Sequence, residues 1–206
     1  KIKQTYLNCA ISSSRTKKIF YETADPSASS FYEPNIKLIN TYRIDNFFKI
    51  VGKKKISCIT LKQSFSDAKI KNIDLLNISA QGSELDCLKV DNKTLKKVTL
   101  VRCYVDFVEK YKNQPLADEI ISHLKKRGFT LISETEPIYI KDKKISSALI
   151  FINDNLKDKN KIYKTIVIFF SLGLHLTICF YLQNKFHMKK NVIDIFSKTD
   201  KIFAFI

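Results

Sequence analysis

Residues 73–88 read IDLLNISAQGSELDCL, and this stretch decides the fold. Ile73, Leu75, Leu76 and Ile78 form an apolar run too short for a helix, and it ends in Ser79, Gln81 and Gly82. A short run, apolar on both faces and closed by a glycine, is the pattern of a buried parallel strand entering a tight turn. Ser83 stands three residues before Asp86, a capping-box spacing with Asp in place of Glu, and Leu85 and Leu88 share one helical face behind it. The spacing predicts a helix beginning at Ser83. A strand that turns at once into a helix puts backbone N–H groups and small side chains at the carboxyl edge of a sheet, where open α/β folds bind ligands. An ordinary strand-turn-helix connection without a ligand satisfies the same pattern.

Downstream, Val98, Leu100, Val101, Cys103 and Val105 mark a second strand apolar on both faces. Joined to the first by one helix, it is expected to lie beside it in parallel, through a right-handed crossover. Arg102 interrupts this run and must reach an edge or a partner, because an unpaired buried charge is costly. Pro115, Leu116, Ile120, Ile121 and Leu124 have helical spacing with Pro in the first turn, and Gly128 is the stop. Residues 129–133, 137–140 and 145–152 read as strands with 141–144 as a turn, an antiparallel hairpin closing a mostly parallel sheet. Upstream, residues 3–11 and 17–23 are predicted strands, and residues 24–35, with Pro26, Pro34 and clustered serines, a loop. Residues 46–51 and 55–61 are β-rich runs separated by Gly52 and three lysines, a hairpin or two successive strands, and residues 64–70 make a helical turn.

The central stretch is preceded by SSFYEPN at 29–35 and followed by YVDF at 104–107 and YKNQPL at 111–116. In order and approximate spacing these four segments resemble the FkbM-type S-adenosylmethionine-dependent methyltransferases, over about Tyr6 to Asn153. The resemblance implies an α/β, Rossmann-like methyltransferase fold with a partial sheet, S-adenosylmethionine as cofactor, and O-methylation of a hydroxyl on a sugar, glycan or small molecule. It places Ser79 and Gln81 in the cofactor cleft at the end of the central strand and Ser29 and Ser30 in a loop near cofactor or acceptor. A surface loop with capping serines is the other reading of that segment. Glu84 is a substrate-side residue by position, or a helix cap. Asp106 is the candidate base, or else a strand-end carboxylate paired with a lysine. The chain departs from the family pattern at Ser79, where an acidic residue is usual, and at Tyr104, where Glu is common. The glycine-rich cofactor loop has no counterpart, so the chain is expected to be the carboxyl part of a longer enzyme. The alternative is a noncatalytic remnant serving as a protein-binding subunit or homo-oligomer.

At 206 residues, 45% hydrophobic and 27% charged, the chain has the make-up of a folded protein with one main core. Its formal net charge of +16 comes from lysines scattered along the chain, with no zinc-finger spacing, basic helix or aromatic RNA-binding signature, so no specific nucleic-acid partner is expected. Five cysteines without a CxxC pair, mostly inside apolar runs, argue for a reducing, cytoplasmic setting and against a disulfide framework or zinc site. The three histidines lack metal-ligand spacing, and no metal is expected. The methyltransferase-like region is read as residues 1–157 and a helical tail as 158–206. Between Lys164 and Lys185 the tail has no charged residue, which meets the length of a membrane span. Gly173 and the polar residues Ser171, His175, Thr177 and Gln183 favour instead two helices broken near Gly173, within 162–186, packed on each other or on a partner. Membrane association through 162–186 stays open.

Overall fold

The computed structural model describes residues 4–155 and 159–174, together with 177 and 181. The chain divides into two compact units, Lys1–Asn153 and Asp154–Ile206. In the first, β1 (Ala10–Ile11) and β2 (Thr16–Thr23) are followed by α1 (Ile36–Thr41), α2 (Asp45–Phe48) and β3 (Ile50–Ile59). Then come α3 (Leu61–Asp67), β4 (Ile73–Ile78), α4 (Glu84–Leu88), α5 (Asn92–Leu95), β5 (Val98–Asp106), α6 (Ala117–Lys125), β6 (Phe129–Ile140) and β7 (Lys143–Asn153). Two sheets form, a three-stranded one in the order β1-β3-β2 and a four-stranded one in the order β4-β5-β7-β6. The architecture is α/β and agrees with a Rossmann-like methyltransferase fold.

β4 and β5 are parallel neighbours, with Leu75 opposite Leu100 and Ile78 opposite Cys103. Both were expected to be buried on two faces; β5 is, with Leu100, Val101 and Cys103 wholly inaccessible, whereas β4 lies at the sheet edge and is only half-buried up to Ile78. Each fully buried aliphatic side chain contributes about 1.5–3 kcal/mol, so β5 is the axis of the core. Two short helices, α4 and α5, make the crossover in place of the single one expected. Asp91 splits them: its side chain accepts the Thr94 N–H at 2.8 Å and starts a new helix. The sheet is also less parallel than expected, because β7 inserts between β5 and β6 and pairs antiparallel with both. The strands predicted at 129–133 and 137–140 are one, bulged around Pro137 on the edge of the sheet where a missing N–H is tolerated. Arg102 finds its partners in Glu136 and in the Tyr104 hydroxyl at 2.7 Å.

In the upstream region the predicted first strand shrinks to Ala10–Ile11, which pairs with Cys58–Ile59. The predicted break at Gly52 and the lysines is absent: β3 runs through it, paired with β2 from Cys58 to Ile50. Gly52 marks a close approach and not a turn, since a Cβ there would lie 2.7 Å from the Glu22 carboxylate that pairs with Lys54. Residues 46–48 are helical instead of extended, which buries Phe48 against Tyr111, ring centroids 5.6 Å apart. α6 starts beyond Pro115, with Glu119 reaching back to the Leu116 N–H at 3.2 Å, and Gly128 follows with a φ of 80°.

In the second unit α7 spans Lys159–Ser171, and Gly173 follows it with a φ of 70°. The first half of the expected broken pair is therefore present; the second half, from 174 to 186, lies almost wholly outside the described residues. No helix among the described residues is long and apolar enough to cross a membrane.

Candidate functional site

The turn after β4 is held in a shape that ordinary residues avoid. Gln81 has a φ of 47° and Gly82 one of 90°. Four contacts hold this shape. Ser30 donates its hydroxyl to the Gln81 backbone carbonyl at 2.5 Å, which ties the serine loop to the turn. The buried Tyr111 hydroxyl lies 2.8 Å from the Ala28 carbonyl and 3.1 Å from the Gln81 side-chain amide. The single Tyr111 hydroxyl proton is thus offered to two acceptors, the nearer Ala28 carbonyl and the Gln81 side-chain oxygen. Finally, Glu84 accepts the Ala80 N–H at 2.8 Å, where a capping box from Ser83 was expected. Ser83 makes no side-chain cap, and its buried hydroxyl has no hydrogen-bond partner among the described residues.

At the carboxyl end of β4 this turn borders a cavity of about 390 Å³. Ser29, Asn77, Ser79, Gln81 and Ser83 are its polar lining, and its apolar lining includes Ile11, Phe20, Phe31, Leu61, Leu76 and Ile78. A second cavity, of about 570 Å³, shares Ala10, Phe20 and Phe31 with the first, so the edge-to-face pair Phe20–Phe31, centroids 5.2 Å apart, is a common wall. Cys87 also lines the first cavity, and burial pushes its thiol up to about 12, so it is present as a neutral thiol.

Of the residues predicted from sequence, Ser29, Ser79 and Gln81 line this cavity together, and Ser30 supports it from behind. Glu84 is buried behind the turn, and burial raises its carboxyl to about 7, with Asp106 adding to the shift and Lys110 opposing it. Asp106 is buried and away from the cavity lining. One of its oxygens pairs with Lys110 at 2.9 Å and the other accepts from Gln114 at 2.8 Å, the lysine pairing that was the alternative to a base. Gln114 in turn accepts the Tyr111 N–H at 2.7 Å, so Asp106 supports Tyr111, and through it Gln81. Tyr104 does not line this cavity; its hydroxyl donates to Glu136 at 2.6 Å beside Arg102. Sequence reasoning missed Tyr111 and Gln114 as positioning residues. The signal was there, because both belong to the YKNQPL segment, and a polar tyrosine and glutamine beside a helix start suggest a bracket.

Gly82 closes this bracket. An added Cβ would stand 3.3 Å from both Gln114 Cβ and Tyr111 Cδ2, at a φ that L residues resist. Gly82→Ala is expected to lower stability by about 1–3 kcal/mol in urea denaturation. Ser83→Ala, which removes a hydroxyl without a hydrogen-bond partner among the described residues, should stay within about 0.5 kcal/mol of wild type.

A strand-turn-helix cleft at the carboxyl edge of a mixed sheet ending in an antiparallel hairpin is consistent with a Rossmann-like methyltransferase fold. The family model described as Methyltransferase FkbM domain matches residues 1–131, and the chain belongs to that family. No curated protein and no solved structure matches it.

Proposed function

We propose that this chain is the acceptor-side part of an S-adenosylmethionine-dependent O-methyltransferase that acts on a hydroxyl of a sugar, glycan or small molecule. The observation that carries this reading is the cavity at the end of β4, whose lining combines apolar side chains with neutral hydrogen-bonding groups. Methyl transfer from a sulfonium is an in-line displacement, so the protein's task is to align donor and acceptor and keep water out. Gln81 and Ser79 offer the donor neutral hydrogen bonds; Ser29 and the Phe20–Phe31 wall suit the apolar and hydroxyl-bearing faces of an acceptor. A proton acceptor is still required, and Glu84, bonded to the turn with its raised carboxyl, and Asp106, whose charge acts on it, are the candidates.

The four glycines are isolated at 52, 82, 128 and 173, so within these 206 residues the donor's contacts come from the polar lining alone. A few hydrogen bonds at about 1 kcal/mol each do not offset the cost of ordering a flexible cofactor. Calorimetric titration of the 206-residue chain with S-adenosylmethionine should accordingly show a Kd weaker than about 100 µM. Micromolar binding abolished by Gln81→Ala would instead mean a self-sufficient donor site. Replacement of the usual acid by Ser79 favours a second reading, a partner subunit without turnover. Transfer of labelled methyl from S-adenosylmethionine to a sugar pool separates the two, since only the first reading expects any incorporation.

A further inference from the structure

The strands β2 and β3 present two faces of opposite character. One carries Lys18, Phe20 and Cys58, which turn inward, where Lys18 pairs with Asp86 and Phe20 packs on Phe31, with Lys54 at its exposed end paired with Glu22. The other carries Lys17, Ile19 and Tyr21 on β2 against Ser57, Lys55 and Lys53 on β3, set by the pairs Lys17–Ser57, Ile19–Lys55 and Tyr21–Lys53. This outer face is open: Ile19 is 47% exposed and the adjoining Val51, at the bulge beside Thr23, 65%. It contains no carboxylate. Some lysines of this unit take acidic partners, as Lys54 does with Glu22 and Lys144 with Glu134, whereas others, among them Lys37, Lys71 and Lys93, have none among the described residues. Lys17, Lys53 and Lys55 likewise have none among the described residues, and Lys53 sits over the Tyr21 ring at 5.1 Å. What distinguishes this face is that its lysines surround exposed aliphatic side chains.

We propose that the outer face of β2 and β3 docks on an anionic lipid surface, which goes beyond methyl transfer and does not depend on it. Three unpaired ammonium groups on long stems around exposed aliphatic side chains suit a surface that is anionic at the headgroups and apolar just below them. A nucleic acid fits less well. It would use the lysines but leave Ile19 and Val51 in water, and the one aromatic ring of the face is already covered by Lys53. The net charge of +16 draws the chain toward any anionic surface, and this face decides the orientation in which it lands.

Co-sedimentation of the full chain with phosphatidylcholine vesicles, with and without phosphatidylserine, tests the proposal. Binding should require phosphatidylserine and weaken as salt rises. The triple variant Lys17→Glu, Lys53→Glu and Lys55→Glu should lose about a hundredfold or more in partitioning. A triple of equal charge change elsewhere, Lys37→Glu, Lys71→Glu and Lys93→Glu, should lose at most about tenfold. Ile19→Ser with Val51→Ser, charge unchanged, should lose about tenfold. Circular dichroism of each variant establishes that it is folded. Equal losses from the two charge triples would overturn the proposal by showing attraction without a docking face. So would binding to single-stranded homopolymer RNA that depends on the three lysines while vesicles are not bound.

Discussion

At pH 8 the Glu84→Gln variant should be more stable than the wild type by about 3 kcal/mol, and at pH 4 the two should coincide. Glu84 is 5% exposed, and burial raises its carboxyl from 4.5 to about 7. The folded state therefore holds this proton more tightly than the unfolded chain does. Stability from this group is complete below about 4.5, declines as pH rises toward 7, and is lost above it. Gln can still accept the Ala80 N–H through its amide oxygen and carries no charge to bury, so the variant lacks the decline. Urea unfolding midpoints across pH 4 to pH 8 measure this, and parallel curves for the two proteins would mean that Glu84 ionises normally in the fold. The result bears on function too, because a carboxyl that titrates near neutrality directly behind the Gln81–Gly82 turn is poised to take or give a proton at working pH.

Much of the fold was legible where one residue type had one physical reading. Ile73 to Ile78 and Val98 to Val105 are too short and too apolar for anything but adjacent strands, and they pair in parallel as read. Pro115 and Gly128 delimit α6 because a missing N–H and a positive φ are local requirements. The misreadings arose where tertiary contact overrode a local signal. Gly52 and three lysines look like a turn, yet β2 supplies a partner for every residue of that stretch except the bulged Val51, and the glycine makes room for Glu22. Residues 46–48 have strand-forming aromatics, yet helical geometry is what buries Phe48 against Tyr111.

The site was legible in its chemistry more than in its geometry. Ser29, Ser79 and Gln81 were predicted by position and share one cavity. Its apolar wall was not foreseen, because Phe20 and Phe31 come from segments whose alternation says only that they are strand or loop. The roles of Tyr111 and Gln114 depend on contacts made across 30 and 8 residues of chain, which periodicity does not carry.

The remaining large effect is expected at Asp106, where the bracket and the base make opposite forecasts. Its carboxylate is buried and joined at 2.9 Å to the partly buried Lys110, whose side chain is 15% exposed. Removing Asp106 leaves a partly buried ammonium without compensation and Gln114 without its acceptor, so Asp106→Ala should lose about 2–4 kcal/mol, a large share of many whole stabilities. Lys110→Met in the same chain should restore most of that loss, because an apolar side chain of similar length needs no partner. Gln114 still loses its acceptor in the double variant, so recovery should stop short by about 1 kcal/mol. In the bracket, any methyl transfer should follow stability, falling in Asp106→Ala and returning in part in the double variant. A base gives a different pattern: transfer would stay lost in the double variant although the fold had recovered. Urea midpoints and labelled-methyl incorporation, measured on the same preparations, distinguish them. The geometry favours the bracket, since both Asp106 oxygens are already engaged and the chain Asp106–Gln114–Tyr111–Gln81 ends at an amide on the cavity lining.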